Sequence, residues 1–126
     1  MKQVLKTEKA PKALGPYSQG IKTGNMIFLS GQLGLDPVTN EFAEGGVAEQ
    51  TRQSLTNLKN ILESAASSMD HVVKTTVFLK DMNDFQAMNA VYNEFFDTEP
   101  PARSTVQVAA LPKHGLVEIE AIATRE

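Results

Sequence analysis

Two short stretches near the C-terminal end carry the side chains with the most chemistry to offer. In Pro101-Ala102-Arg103-Ser104-Thr105-Val106-Gln107-Val108, strand alternation puts Arg103, Thr105 and Gln107 on one face and Ser104, Val106 and Val108 on the other. In Val117-Glu118-Ile119-Glu120-Ala121-Ile122-Ala123, the residues Val117, Ile119, Ala121 and Ala123 form an apolar face, while Glu118, Glu120, Ile122 and Thr124 point the opposite way. The first stretch begins with a guanidinium, whose planar fork matches a carboxylate, and the second offers two carboxylates able to take a proton. Laid close together, such strands would hold a small acidic metabolite beside a general base. Spacing alone does not choose between Glu118 and Glu120, and by itself it reads both as solvated edge charges.

Other chemistries lack their residues. There is no cysteine, which removes disulfides, thiolate nucleophiles and thiolate metal sites together. No phosphate-cradling GxxxxGK[ST] loop, no GxGxxG after a strand and no HExxH occurs, and the two histidines, His71 and His114, have no ligand-like spacing. Ser30 and Ser104 have no evident histidine base, so each reads as a hydroxyl that orients a ligand rather than one that attacks it. A net charge of -3 and an isoelectric point near 5.4 give no basic field for a phosphate backbone, and no nucleic acid partner is expected. No apolar run approaches the length of a membrane span, and Met1 to Pro16 has no signal-peptide core, so the chain reads as cytoplasmic with no membrane partner.

These residues need elements to place them. With 126 residues, 41% of them hydrophobic, the chain suits one domain, 1–126, with a respectable core. Lys2 to Thr7 reads as an edge strand, ended by the proline-flanked segment Ala10 to Pro16. Tyr17 to Lys22 and Asn25 to Ser30 read as a hairpin turning at Thr23-Gly24-Asn25. Gly31, directly after that strand, is either a bulge or a place where another group comes close. From Val47 to Ser67, Thr51, Leu55, Leu58, Leu62, Ala65 and Ala66 recur at helical steps; the other face, with Gln50, Arg52, Gln53, Asn57, Lys59, Asn60 and Glu63, is expected to be solvated. Val72 to Lys80 alternates as a strand, with Val73, Thr75, Val77 and Leu79 on one face. A second helix follows, with Asn83 and Gln86 as its capping pair and Phe85, Met88, Tyr92, Phe95 and Phe96 along one side. Asn89 lies on that apolar side as either a satisfied structural amide or a ligand contact. The order βββ, helix, β, helix, ββ predicts an α+β fold with both helices on one face of a mixed sheet. Self-association is the economical way to cover the other face.

Taken jointly, seven segments resemble the RidA (YjgF-type) family along nearly the whole chain. They are 13–20 (ALGPYSQG), 29–32 (LSGQ), 52–55 (RQSL), 73–81 (VKTTVFLKD), 88–92 (MNAVY), 101–104 (PARS) and 118–123 (EIEAIA). The resemblance implies a chorismate-mutase-like α+β fold, a homotrimer with sites between subunits, and no cofactor or metal. It also implies a deaminase hydrolysing 2-iminoacids, 2-iminobutanoate and 2-iminopropanoate, to 2-oxoacids and ammonia. By position, Arg103 holds the substrate carboxylate, Glu118 rather than Glu120 handles water, and Tyr17, Ser30, Gly31 and Asn89 complete the pocket. Thr105, where many members carry cysteine, contributes ligand contact without thiol chemistry; Ala110 replaces a frequent arginine, and the segment before Pro101 is short. Rival expectations are a non-catalytic 2-oxoacid-binding regulator or holdase, and, behind it, an endoribonuclease.

Overall fold

The computed structural model describes residues 1–126, and its core is one six-stranded sheet carrying two helices. In chain order the elements are β1 (Lys2–Leu5), β2 (Gly20–Thr23), β3 (Met26–Leu33), α1 (Gly46–Ser64), β4 (Val72–Leu79), α2 (Phe85–Phe95), β5 (Ala102–Gln107) and β6 (Val117–Thr124). This is the expected α+β order. The strands lie side by side as β1-β2-β3-β6-β4-β5, antiparallel throughout except for the parallel pair β4 and β5. No helix is long and apolar enough to cross a membrane.

The core forms where the apolar face of α1 meets the helix-facing residues of the central strands. Leu55, Leu58, Ile61 and Leu62 of α1 are buried with Ile27 and Leu29 of β3, Val77 and Leu79 of β4, and Ile119, Ala121 and Ala123 of β6. Met88 and Tyr92 bring α2 onto the same cluster. At the surface, Arg52 on α1 ties the two helices together, pairing with Glu94 of α2 at 2.7 Å and with Glu49. Those hydrogen bonds, to Glu94 first and then Glu49, push the Arg52 guanidinium further up from an already basic value.

Several boundaries and faces differ from the sequence reading, each for a local reason. The hairpin turns on Gly24-Asn25, with Gly24 at φ 57, and Tyr17 to Gln19 lie in the loop before β2. β3 does not stop at Ser30: its register against β6 shifts between Leu29 and Gln32, so Ser30-Gly31 is a bulge inside a longer strand. A second shift between Val72 and Lys74 turns Val73 outward, leaving it 46% exposed, and Val72 takes its place in the core. α1 ends at Ser64, and Ala66, in a left-handed conformation at φ 60, is exposed rather than part of the helical stripe. The cap before α2 is Asp81, whose side chain accepts from the Asn83 backbone N–H at 2.9 Å, not an Asn83–Gln86 pair. Gln50 and Asn57, read as solvated, are buried.

The face of the sheet away from the helices has no layer over it. Val4, Phe28 and Val106 are 57%, 43% and 42% exposed there, flanked by partly buried Ile21, Phe78 and Ile122. Apolar residues on all six strands of one face make a surface that water solvates poorly.

Candidate active site

Arg103 is held by α2 on the helix side of the sheet. It pairs in register with Thr75 of β4, which pairs with Ala121 of β6, and both neighbours are buried under the helices. The guanidinium carbon lies 4.7 Å from the centre of the Tyr92 ring and 5.5 Å from that of Phe85, a stacked arrangement that favours a cation. Nη1 donates to Asn89 Oδ1 at 2.8 Å. The Tyr92 hydroxyl is in turn hydrogen-bonded to Thr75 Oγ1 at 2.7 Å, and burial raises the phenol above its usual range. No carboxylate of the chain pairs with Arg103, so Nε and Nη2 keep their donors for something else. Two residues along the same face, the Thr105 hydroxyl is buried without a hydrogen-bond partner. A fixed cation beside an unsatisfied hydroxyl is a site built for an anion with oxygen acceptors.

Glu118 lies elsewhere. It faces Leu33 of β3 and Phe78 of β4, on the open side of the sheet. From Arg103 it is two strands across and three residues along, roughly 14 Å between Cα atoms and on opposite faces. The expectation that one chain sets the guanidinium beside the base is therefore corrected: β4 separates β5 from β6, and an odd residue offset flips the face.

The surroundings of Glu118 are those of a base. Its carboxyl lies against the β3 bulge, where a Cβ built on Gly31 would come within 2.9 Å of the Glu118 carboxyl carbon and Oε2. Only glycine leaves room for the carboxylate there, which decides the sequence alternatives in favour of close approach at a bulge. Burial first, and the neighbouring Glu120 second, push the Glu118 carboxyl above the usual carboxylate range. Glu120, the next outward residue, is exposed. A hollow of about 260 Å³ opens from Glu118 and Gly31, with Tyr17, Leu14, Lys12 and Lys113 around it. Tyr17, 53% exposed, also stands in the wall of a larger hollow of about 950 Å³ that runs along β1 and the following loop.

The loop that presents Tyr17 is fixed by a residue whose role the sequence reading missed. Gln19 is buried, accepts from the Thr7 backbone N–H at 2.7 Å and donates to the carbonyls of Thr7, Ala10 and Pro11. Ser30 belongs to the same arrangement. Its hydroxyl donates to the Ser18 carbonyl at 2.6 Å, and its backbone N–H donates to the Gln19 carbonyl at 3.0 Å. Toward a ligand, Ser30 therefore has lone pairs to offer rather than a proton.

The predicted residues thus fall into two half-sites. Arg103, Asn89 and Thr105 form one, with Phe85 and Tyr92 added by the structure; Glu118, Gly31, Tyr17 and Ser30 form the other. Phe85 and Tyr92 were legible as an apolar stripe, but nothing in the sequence marked them as the floor under a guanidinium.

The sequence profile of the endoribonuclease L-PSP family matches residues 7–125. The chain belongs to this family. It is the RidA (YjgF-type) family of the sequence resemblance, and the relatives described next match over nearly the whole of both chains. A RutC family protein of Pyrococcus horikoshii is 56% identical over 126 residues, covering all of both chains. A 2-iminobutanoate/2-iminopropanoate deaminase of Capra hircus is 50% identical, covering 99% of this chain and 91% of its own. The crystal structure of Escherichia coli TdcF with bound serine superposes with a TM-score of 0.94 at 46% identity, covering 98% of this chain and 99% of the other. RidA-type relatives thus carry both deaminase and endoribonuclease names, and the chemistry of this chain rests on its own half-sites.

Proposed function

We propose that the protein is a 2-iminoacid deaminase, converting 2-iminobutanoate or 2-iminopropanoate and water to the 2-oxoacid and ammonia. The observation that carries this reading is that one chain holds both a ring-stacked guanidinium without a carboxylate partner and a half-buried carboxylate that touches a glycine bulge. Relatives named for this reaction support it, as does a relative holding an amino acid, which has the same carboxylate and α-nitrogen.

Because the half-sites lie on opposite faces of one sheet, the working site is completed by a second copy, and the assembly is a homotrimer. The uncovered apolar face around Phe28, Ile122 and Val106 supports this arrangement by supplying a surface for such a copy. Arg103 of one subunit grips the substrate carboxylate through two parallel N–H bonds. The Thr105 hydroxyl donates to the same ligand, and Asn89 keeps the fork in plane. Glu118 of the adjoining subunit takes a proton from water as the water oxygen bonds to the protonated imine carbon, and the C=N π pair moves to nitrogen. The protonated Glu118 returns that proton to the carbinolamine nitrogen; as the hydroxyl becomes the 2-oxo group and gives its proton back to the Glu118 carboxylate, the C–N bond breaks and ammonia leaves. Tyr17 helps shape the cleft over the imine.

Mixing inactive subunits tests both the chemistry and the assembly. Arg103→Ala and Glu118→Gln chains, each inactive alone, are unfolded together and refolded, and 2-oxobutanoate release from freshly generated 2-aminocrotonate is followed. Sites shared between copies recover about a quarter of wild-type activity, since one random neighbour pair in four has both residues. No recovery from correctly assembled mixtures would sink the shared site.

The endoribonuclease reading finds less support. Its acid–base pair would have to come from His71 and His114, which lie near opposite ends of the β4–β6 ladder, roughly 20 Å apart. RNA cleavage by the purified chain that depends on either histidine would reverse this preference.

A further inference from the structure

A stripe of buried polar residues runs along α1 at helical spacing and reaches into both strands that build the Glu118 half-site. Ser54 Oγ donates to the Gln32 carbonyl at 2.7 Å, one residue beyond Gly31. Asn57 Nδ2 donates to the carbonyls of Leu33 at 3.2 Å and Leu35 at 2.9 Å. Gln50 makes the longest connection: its Oε1 accepts from the Leu116 backbone N–H at 2.9 Å, two residues before Glu118. The Leu116 carbonyl accepts from Lys80 N–H at 3.0 Å, so both backbone polar groups of Leu116 are fixed just before β6 begins. The backbone of Gln50 is also pressed onto the continuation of β3, since a Cβ on Gly34 would lie 2.5 Å from the Gln50 Cα.

Resting on the deaminase reading above, we propose that Gln50 is a positioning residue for the Glu118 carboxylate, holding the start of β6 through Leu116 while α1 braces the Gly31 bulge against it. Gln50 touches no part of the open cleft. It acts through backbone, and what it sets is the closeness of Glu118 to Gly31, hence how completely that carboxylate is stripped of water. The titratable groups around Glu118 are Glu120 on its own strand and Tyr17, Lys12 and Lys113 around the hollow; β3 and β4 face it with only Gly31, Leu33 and Phe78. A purely structural Gln50 would lower stability and leave this carboxylate's titration alone.

The test follows the Glu118 carboxyl carbon by NMR across pH in 13C-labelled protein, its signal assigned by its loss in Glu118→Gln. In Gln50→Met the Leu116 N–H loses its acceptor and β6 relaxes from the bulge. The Glu118 midpoint then falls toward the ordinary carboxylate value, and kcat drops about tenfold while KM stays within about twofold. Gln50→Glu, which keeps an acceptor oxygen for Leu116, restores most of both. Gln50→Asn withdraws the amide by one methylene and carries the same test if the methionine variant does not fold. An unchanged midpoint and an unchanged kcat–pH profile in folded Gln50→Met or Gln50→Asn overturn the proposal, whatever the melting temperature does. A wild-type chain without imine hydrolysis would sink the deaminase reading, whereas a shifted midpoint in the same samples would still support the placement of Glu118 by Gln50.

Discussion

At the scale of single residues, the site turns on two charges kept in opposite conditions. Arg103 is stacked over two aromatic rings, and on the proposed reading its replacement by alanine removes grip and alignment together, costing about 2–5 kcal/mol in kcat/KM. Arg103→Lys recovers little, because an ammonium on a flexible stem cannot reproduce the fork. Glu118 is held above the ordinary carboxylate range by burial. Glu118→Gln lowers kcat by roughly 10²- to 10⁴-fold, while exposed Glu120→Gln does much less; equal losses in steady-state assays would place the base elsewhere. The raised value also has a stability consequence of definite sign. A carboxyl whose folded value lies above its unfolded one favours the fold while protonated, and that contribution is lost as pH rises through the folded value. Glu118→Gln therefore melts higher than wild type at neutral pH, and scanning calorimetry finds the gap closing below about pH 4.5, the ordinary value. The carboxylate proposed as the base is maintained at a cost in stability.

At the scale of elements, each half-site depends on a local departure from regular patterning, a polar group in the apolar stripe of α2 for one and a bulge in β3 for the other. Tyr92 lies among Met88, Val91 and Phe96 on α2, yet its hydroxyl reaches Thr75 while its ring supports Arg103. Tyr92→Phe keeps the ring and orphans the Thr75 hydroxyl, costing about 1–3 kcal/mol in urea unfolding with little change in KM. Tyr92→Leu removes the ring as well, and a KM increase confined to that variant shows the stacking at work. On the other side, the bulge in β3 exists to bring Gly31 under Glu118. Gly31→Ala forces the carboxylate aside and lowers kcat without unfolding the sheet, a combination that circular dichroism and turnover measured together reveal.

At the scale of the molecule, the uncovered face of the sheet and the divided site have one solution in common, a second copy. For the homotrimer proposed above, sedimentation of the purified chain is expected to give about three times its 13.7 kDa mass, and a species of that single-chain mass would overturn the assembly. Phe28→Asp, a charge in the middle of that face, yields folded monomers that have lost turnover although every residue of both half-sites is intact.

The order of elements, the two helices on one face and the residues that could do chemistry were legible in the chain itself, because hydrophobic period and turn residues are local properties of sequence. Arg103 and the two glutamates were legible as candidates, but only the family resemblance preferred Glu118 to Glu120, and Gly31 was open between a bulge and a close approach. What the tertiary structure decided was distance and face. The placement of β4 between β5 and β6 and the odd offset between Thr75 and Phe78 separate guanidinium from base, and neither is encoded in any one strand. Bulges at Val73 and Ser30-Gly31 overrode simple alternation, since one extra residue reverses every side chain after it. Gln50 and Asn57 looked solvated for a related reason: an amide on a helix is polar by type, and only the carbonyls and N–H groups that the fold brings to it make burial favourable.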